Sequence, residues 1–198
     1  HYAVLAEHYI AGESYEKGAQ YCQLAGRKAQ RAGSLNDAIP YGEKRIACLE
    51  KLPQVEDVER KIVDARTVLG LHYAQMNHHV KAKEAVDLIV DSALERGYRR
   101  RVSQIYSIIG SYNLFVEEDF AEAFKYLREA LTIAEELSDI LSLTMARFWL
   151  AQALAWSCQF EEALQHMGKS LEINVAANSL WGIAMLKSNM ATWVYDLP

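Results

Sequence analysis

Small and apolar residues recur in this chain at intervals of 40, and that period decides more about its fold than any other feature. Leu69, Ile109 and Trp149 stand 40 apart, as do Gly70, Gly110 and Leu150. Met76, Val116 and Trp156 follow, then Val80, Phe120 and Phe160, then Lys83, Ala123 and Ala163, and then Val90, Ala130 and Ser170. The last segment continues the series, with Leu150 mapping to Met190 and Leu154 to Val194. A fixed period of this size marks stacked supersecondary units, because one helical hairpin cannot bury its own apolar face. Stacking makes a continuous core in which each unit touches only its neighbours. In such a stack Gly70, Gly110 and Ala123 let helix axes approach, and Trp149, Phe120 and Phe160 fill the gaps between turns.

The residue types say that the unit is helical. Ala, Leu, Glu, Lys, Gln and Arg dominate, and these are good helix formers. No sustained alternation bounded by turns, and no Asn-Gly or Asp-Gly hairpin, points to strands. The spacing predicts ten helices, at roughly 2–12, 15–32, 36–52, 55–76, 80–96, 99–115, 119–137, 139–157, 160–174 and 179–195. Turn and cap residues separate them at Gly12-Glu13-Ser14, Gly33-Ser34, Asn77-His78, Gly97 and Ser138-Asp139. Pro40 fits the third helix only in its first turn, with Asn36 or Asp37 as N-cap. The N-terminal part runs a few residues out of phase, which predicts a longer connection around Leu52 to Asp57.

Leu69-Gly70-x2-Tyr73, Ile109-Gly110-x2-Asn113, Ala123-x3-Leu127-x2-Ala130 and Ala163-x3-Met167-x2-Ser170 follow a known pattern. So do Tyr2-x2-Leu5-Ala6-x2-Tyr9 and Gly18-x3-Cys22-x2-Ala25. The chain resembles the tetratricopeptide repeat family, whose signature is Trp-x2-Leu-Gly-x2-Tyr followed by Ala-x3-Phe-x2-Ala. The resemblance implies an all-α, right-handed α-solenoid of about ten helices in one domain, cut from a longer chain. HEAT-type repeats share the period and are the alternative. The first fifty residues carry a narrower likeness through Leu5-Ala6-Glu7-His8-Tyr9, Ala11-Gly12, Tyr15-Glu16-Lys17-Gly18, Tyr21, Ala25-Gly26 and Ala38-Ile39-Pro40-Tyr41. They are similar to repeats that follow the ATPase module of multidomain signalling proteins, such as class III adenylate or guanylate cyclases and MalT-like regulators. In those proteins such repeats resemble a sensor or autoinhibitory arm.

Charge and motif content exclude several functions. A net charge of −5 argues against a nucleic-acid partner, whose phosphates call for clustered Lys and Arg. No apolar run reaches the roughly 18 residues that span a bilayer, and no signal peptide opens the sequence. Cys22, Cys48 and Cys158 lack metal or redox spacing and read as small buried hydrophobes in the reducing cytoplasm. His78 and His79 are adjacent and point apart, and His8, His72 and His166 stand singly, so no metal is expected. Glu117-Glu118-Asp119 and Glu135-Glu136 sit at helix ends, where carboxylates cap and are solvated. No phosphate-binding loop, nucleophile elbow or zinc-protease helix is present. The expectation is a domain with no catalysis and no cofactor, whose partner is a protein or peptide.

Two surfaces are candidates for that partner. Arg96, Arg99, Arg100 and Arg101 bracket Gly97 and could dock an acidic partner or a neighbouring domain. By the family pattern the concave groove would be lined by Thr67, Leu71, Gln75, Gln104, Ser107, Ser111, Phe115, Thr144, Arg147, Phe148 and Leu154. Aromatic residues at helical spacing, Trp156 among them, read mostly as inter-helix core. The Lys and Asn clamp by which chaperone-binding relatives hold a C-terminal carboxylate is missing there. The last helix carries Trp181, Ile183, Met185, Leu186, Met190, Trp193 and Val194 without the partner helix the period demands, so self-association through it is expected. The reading is a scaffold or regulatory repeat domain of a cytoplasmic signalling protein. A free-standing peptide adaptor, and an arm sensing a small ligand in its concave face, are the alternatives.

Overall fold

The computed structural model describes residues 1–195, apart from the side chains of Trp181 and of 193–195. Eleven α-helices and one π-helical turn make up its regular structure, with no strand among the described residues. In chain order they are α1 (Tyr2–Ala11), α2 (Tyr15–Arg31), α3 (Leu35–Glu50), α4 (Glu56–Gln75), α5 (His79–Asp87) and α6 (Val90–Glu95). After these come α7 (Arg99–Tyr112), the π turn (Asn113–Glu117), α8 (Phe120–Leu137), α9 (Ile140–Trp156), α10 (Phe160–Ala176) and α11 (Leu180–Tyr195). The chain divides into two compact units, His1–Arg96 and Gly97–Pro198. Each is built of antiparallel helical hairpins of the tetratricopeptide kind.

The hairpins are made by one repeated backbone device. At Glu13, Gly33, Asn77, Gly97, Glu118, Ser138, Cys158 and Asn178 a single residue takes positive φ, between 50° and 77°. At most of these turns the residue after it starts the next helix, and its N–H reaches back five residues. Ser14 donates to the Tyr9 carbonyl, His78 to Tyr73, Gln159 to Leu154 and Ser179 to Asn174. This closes orphan carbonyls of the helix just ended, as in a Schellman cap. The left-handed residues stand 20 or 21 apart except between Gly33 and Asn77, which are 44 apart. The excess is the non-helical Lys51–Val55 stretch around Pro53, which accounts for the phase shift in the sequence.

The π turn explains a register error. An i→i+5 turn holds one residue more than an α turn. Accordingly the Asp119 N–H reaches six residues back, to the Asn113 carbonyl. Leu69 and Ile109 are equivalent at 40, but after the π turn the spacing becomes 41. Buried Ala82, rather than Lys83, therefore matches Ala123, and buried Ile89, rather than Val90, matches Ala130. The single helix expected at 80–96 is also broken. Ile89 (φ −125°, ψ −2°) takes a short bond to the Val86 carbonyl, which turns Ile89 inward and leaves Leu88 exposed.

Pro40 departs from expectation as well. Ser34 is the N-cap of α3, so Pro40 is its sixth residue rather than part of the first turn. There the missing N–H leaves the Asn36 carbonyl without its intrahelical donor. Pro40 is exposed. Pro40→Ala should thus stabilise the chain by about 2 kcal/mol, a gain of roughly 3 in the helix set against up to about 1 of lost chain stiffness. A urea titration followed by helical circular dichroism would show this, and an unchanged or lower midpoint would contradict it.

In the first unit Ala6, Cys22, Ala82, Val86 and Ala93 are wholly inside. A β-carbon on Gly18 would sit 3.1 Å from the Ile10 side chain and 3.2 Å from Cys48 Sγ, so α2 needs glycine there to pack this closely. Burial pushes the Cys22 thiol up to about 12 and raises Cys48 too, which makes both inert. Cys158 differs from the buried hydrophobe expected: it is exposed, in the left-handed position of the α9–α10 turn. In the second unit Ile105, Ile108, Leu114, Leu127, Met145 and Leu154 form the deepest core. In α11, Leu186 is buried and Ile183, Met185 and Met190 are half-buried. The side chains of Trp181, Trp193 and Val194 lie outside the described residues. Among the described residues no helix is long and apolar enough to cross a membrane.

Candidate functional site

A cleft of about 510 Å³ opens in the second unit where the α8–α9 turn meets the end of α10. Arg100, Ser138, Asp139, Ile140, Leu141, Thr144, Asn174 and Ser179 line it. Local sequence sets each of these. Ser138 takes the left-handed turn position, and Asp139 then caps α9, accepting from the Ser142 N–H at 3.0 Å and from Ser142 Oγ at 2.5 Å. Arg100, in the first turn of α7, places Nε 3.1 Å from Asp139 Oδ1. Burial alone would raise the Asp139 carboxyl, but the two bonds from Ser142 and the Arg100 guanidinium outweigh it and hold it below its ordinary value.

The floor is a buried polar pair. Asn174 Nδ2 donates to Thr144 Oγ1 at 2.9 Å and to the Ser170 carbonyl at 2.8 Å, and both Asn174 and Thr144 are 3% exposed. Thr144 accepts in that bond and keeps its own proton to donate. The Arg100 pair runs through Nε, which leaves the terminal nitrogens for a ligand. The rim is apolar, with Ile140 49% and Leu141 40% exposed. The lining thus offers donors, an amide and two exposed aliphatic side chains. Its one carboxylate is committed as a helix cap and an ion pair, and no cysteine or histidine lines it. Such a donor set suits hydrogen bonding to a polar group beside an apolar side chain.

The expected groove is placed differently. Thr67, Leu71, Gln104, Ser107, Ser111, Phe148 and Leu154 are buried. Their polar atoms are used inside: Thr67 Oγ1 donates to the Val63 carbonyl, Ser107 to Ser103 and Ser111 to Ile108, while Gln104 Nε2 donates to Ser142 Oγ. These small hydroxyl residues back-bond within their helix and allow close packing, so they do not line a groove. Gln75 and Phe115 are half-buried, and Arg147 is turned onto Glu135 of α8 at 2.9 Å. Thr144 alone of the eleven reaches the cleft.

The four arginines are also engaged. Arg96 pairs with Glu59, Arg99 with Glu136 and Arg100 with Asp139, and Arg101 Nη1 donates to Gln104 Oε1 at 2.7 Å. The first three tie elements together inside their own units, each exposed pair contributing little, and the Arg101 bond stays within α7. The sequence reading does not place Asp139, Asn174 or Ser179 in a site. Asn174 is detectable as a polar residue on the buried stripe of Met167 and Ser170, at i, i+3 and i+7.

The comparisons with known proteins bear on the fold. No family model matches the sequence, and no curated protein matches it. A solved structure that resembles it is aspartyl phosphate phosphatase F from Bacillus subtilis, with a TM-score of 0.62 at 10% identity. The match covers 95% of this chain and 53% of that one, so this chain spans about half the length of that protein. The likeness is one of fold: a helical repeat architecture. Nothing in these comparisons carries the narrower likeness to cyclases and MalT-like regulators.

Proposed function

We propose that the chain is a regulatory protein-interaction domain whose cleft in the second unit takes a short segment of a partner protein. The buried Asn174–Thr144 pair beneath the exposed Ile140 and Leu141 carries this reading. A peptide brings main-chain donors and acceptors for such a floor and an apolar side chain for such a rim. The repeat architecture shared with the Bacillus phosphatase supports an interaction role. The activity in that protein's name is not carried over, since the cleft's one carboxylate is already committed.

The finer reading makes the domain a sensor or autoinhibitory arm of a larger cytoplasmic signalling protein, with any ATPase or cyclase activity elsewhere in it. It rests on the first fifty residues alone, and sequencing the native transcript around this segment tests it. Association of copies through α11 belongs to the same proposal, prompted by Val175 (57% exposed) and Leu180 (76%) beside the α10–α11 turn.

Peptides selected on the domain from a random displayed library test the cleft. Arg100→Ala and Leu141→Ser change exposed side chains, so the fold should survive both. Each should weaken a selected peptide by about tenfold or more, a loss of roughly 1.4 kcal/mol. Unchanged affinity in both variants would place the binding site elsewhere.

A further inference from the structure

At the opposite end of the second unit's hairpins lies a second surface, separated from the cleft by the 17-residue length of α9, about 25 Å. The π turn carries Phe115 against Trp156 and Trp149, with ring centroids 4.9 and 5.7 Å away in edge-to-face contact. This brings the end of the π turn beside the α9–α10 turn. Val116 (41% exposed), Trp156 (51%) and Phe160 (41%) are the apolar side chains showing there. Trp156 is thus an exception among the aromatic residues that the sequence reads mostly as inter-helix core. A hollow of about 740 Å³, lined by Cys158, Gln159, Phe160, Glu161, Glu162 and Gln165, adjoins them.

The charge around this patch is mainly negative, with Lys125, paired with Glu122 at 3.0 Å, and Lys169 just beyond it. Residues 113–124 contain Glu117, Glu118, Asp119 and Glu122 with no Lys or Arg, and 156–168 contain Glu161 and Glu162 with none. Asp119, Glu161 and Glu162 have a local role at helix N-termini, where the dipole favours carboxylates. Glu118 holds the left-handed turn position outside any helix, and Glu117 ends the π turn. Glu117 accepts from the Tyr112 hydroxyl, but helix capping accounts neither for Glu118 nor for a half-exposed tryptophan. An aromatic anchor ringed by carboxylates is complementary to a segment that is apolar on one side and cationic on the other. A lysine or arginine in it can also lie over the indole face.

We infer that this end of the second unit docks a cationic amphipathic protein segment, whose apolar side covers Trp156 and Val116 while its Lys or Arg side chains meet Glu117, Glu118, Glu161 and Glu162. The surface is separate from the cleft, so the two succeed or fail independently.

A fluorescein-labelled 18-residue helix of leucine on one face and lysine on the other is the probe, with its glutamate counterpart as control, read by anisotropy. The lysine peptide should bind at least about a hundredfold tighter than the glutamate peptide, and more weakly as salt rises. Trp156→Ser and, separately, the combined E118Q/E161Q/E162Q variant should each weaken it by about tenfold or more. Arg100→Ala in the cleft should leave it unchanged. Equal binding of both peptides would reduce the surface to a non-specific apolar patch. Loss with the charge variant but not with Trp156→Ser would mean diffuse attraction alone. No binding, or a salt-insensitive self-association that covers the patch, would likewise overturn the assignment. Circular dichroism of both variants separates lost binding from lost fold.

Discussion

Gly110→Leu is expected to destabilise the second unit by about 3 kcal/mol or more, the upper end of overpacking effects. A β-carbon at Gly110 would lie 2.5 Å from Leu127 Cγ, 2.7 Å from Leu127 Cδ2 and 3.4 Å from the Ala123 carbonyl. Leu127 is fully buried, and its near atom is the branch carbon rather than a flexible tip, so it cannot swing aside. Even Gly110→Ala should lose net stability, because the helix-propensity gain of about 1 kcal/mol is smaller than that clash. Leu127→Ala alone should cost about 2–5 kcal/mol as a cavity. Combined with Gly110→Ala it should cost less than the sum of the two, by about 1–3 kcal/mol, since each change relieves the other. Additive losses in urea titrations would show that the close approach of α7 and α8 is misplaced.

The second large effect is acid sensitivity of the first unit. His72 on α4 is 5% exposed, and both its ring nitrogens are buried without a hydrogen-bond partner. Burial lowers its pKa to about 4, against 6.5 when exposed. His79 is lowered to about 4 as well, by burial and then by the neighbouring His78. The unfolded chain therefore binds these protons first as pH falls. Stability is complete above about 6.5 and declines steadily towards 4, by about 3 kcal/mol for His72 alone. His72→Met should raise stability at pH 7 by about 1–2 kcal/mol, because it removes an unsatisfied polar group, and should flatten the decline. Midpoints measured between pH 4 and 8 check both. A variant that declines as steeply as the parent would mean that His72 reaches water or a partner.

The period and the helix-forming composition make the fold legible, and the Gly70 and Gly110 pair locates the first helix of two hairpins. The π turn is not legible, since Asn113 to Glu117 read as an ordinary helix end, and one extra residue moves every later assignment in α8 by one. The groove fails for a different reason. From Phe148 to Ala155 every residue of α9 is buried, and in α7 the consecutive residues Ser107, Ile108, Ile109, Gly110 and Ser111 are all inside. A helix buried on all sides, as α9 is over this stretch, carries no amphipathic pattern to say which face is open. The cleft is instead made by Asp139 and Ser179 at turns, where they read as caps, and by Asn174 in the last turns of α10.

Hydrogen exchange of the chain alone and with a library-selected peptide tests the account most directly. Bound peptide should slow exchange across 138–144 and 174–182, where the cleft's turn and floor lie, and leave the buried helical stretch 104–111 unchanged. Protection confined to other segments, or a library that yields no binder, would contradict the assignment of this cleft as the seat of a partner segment.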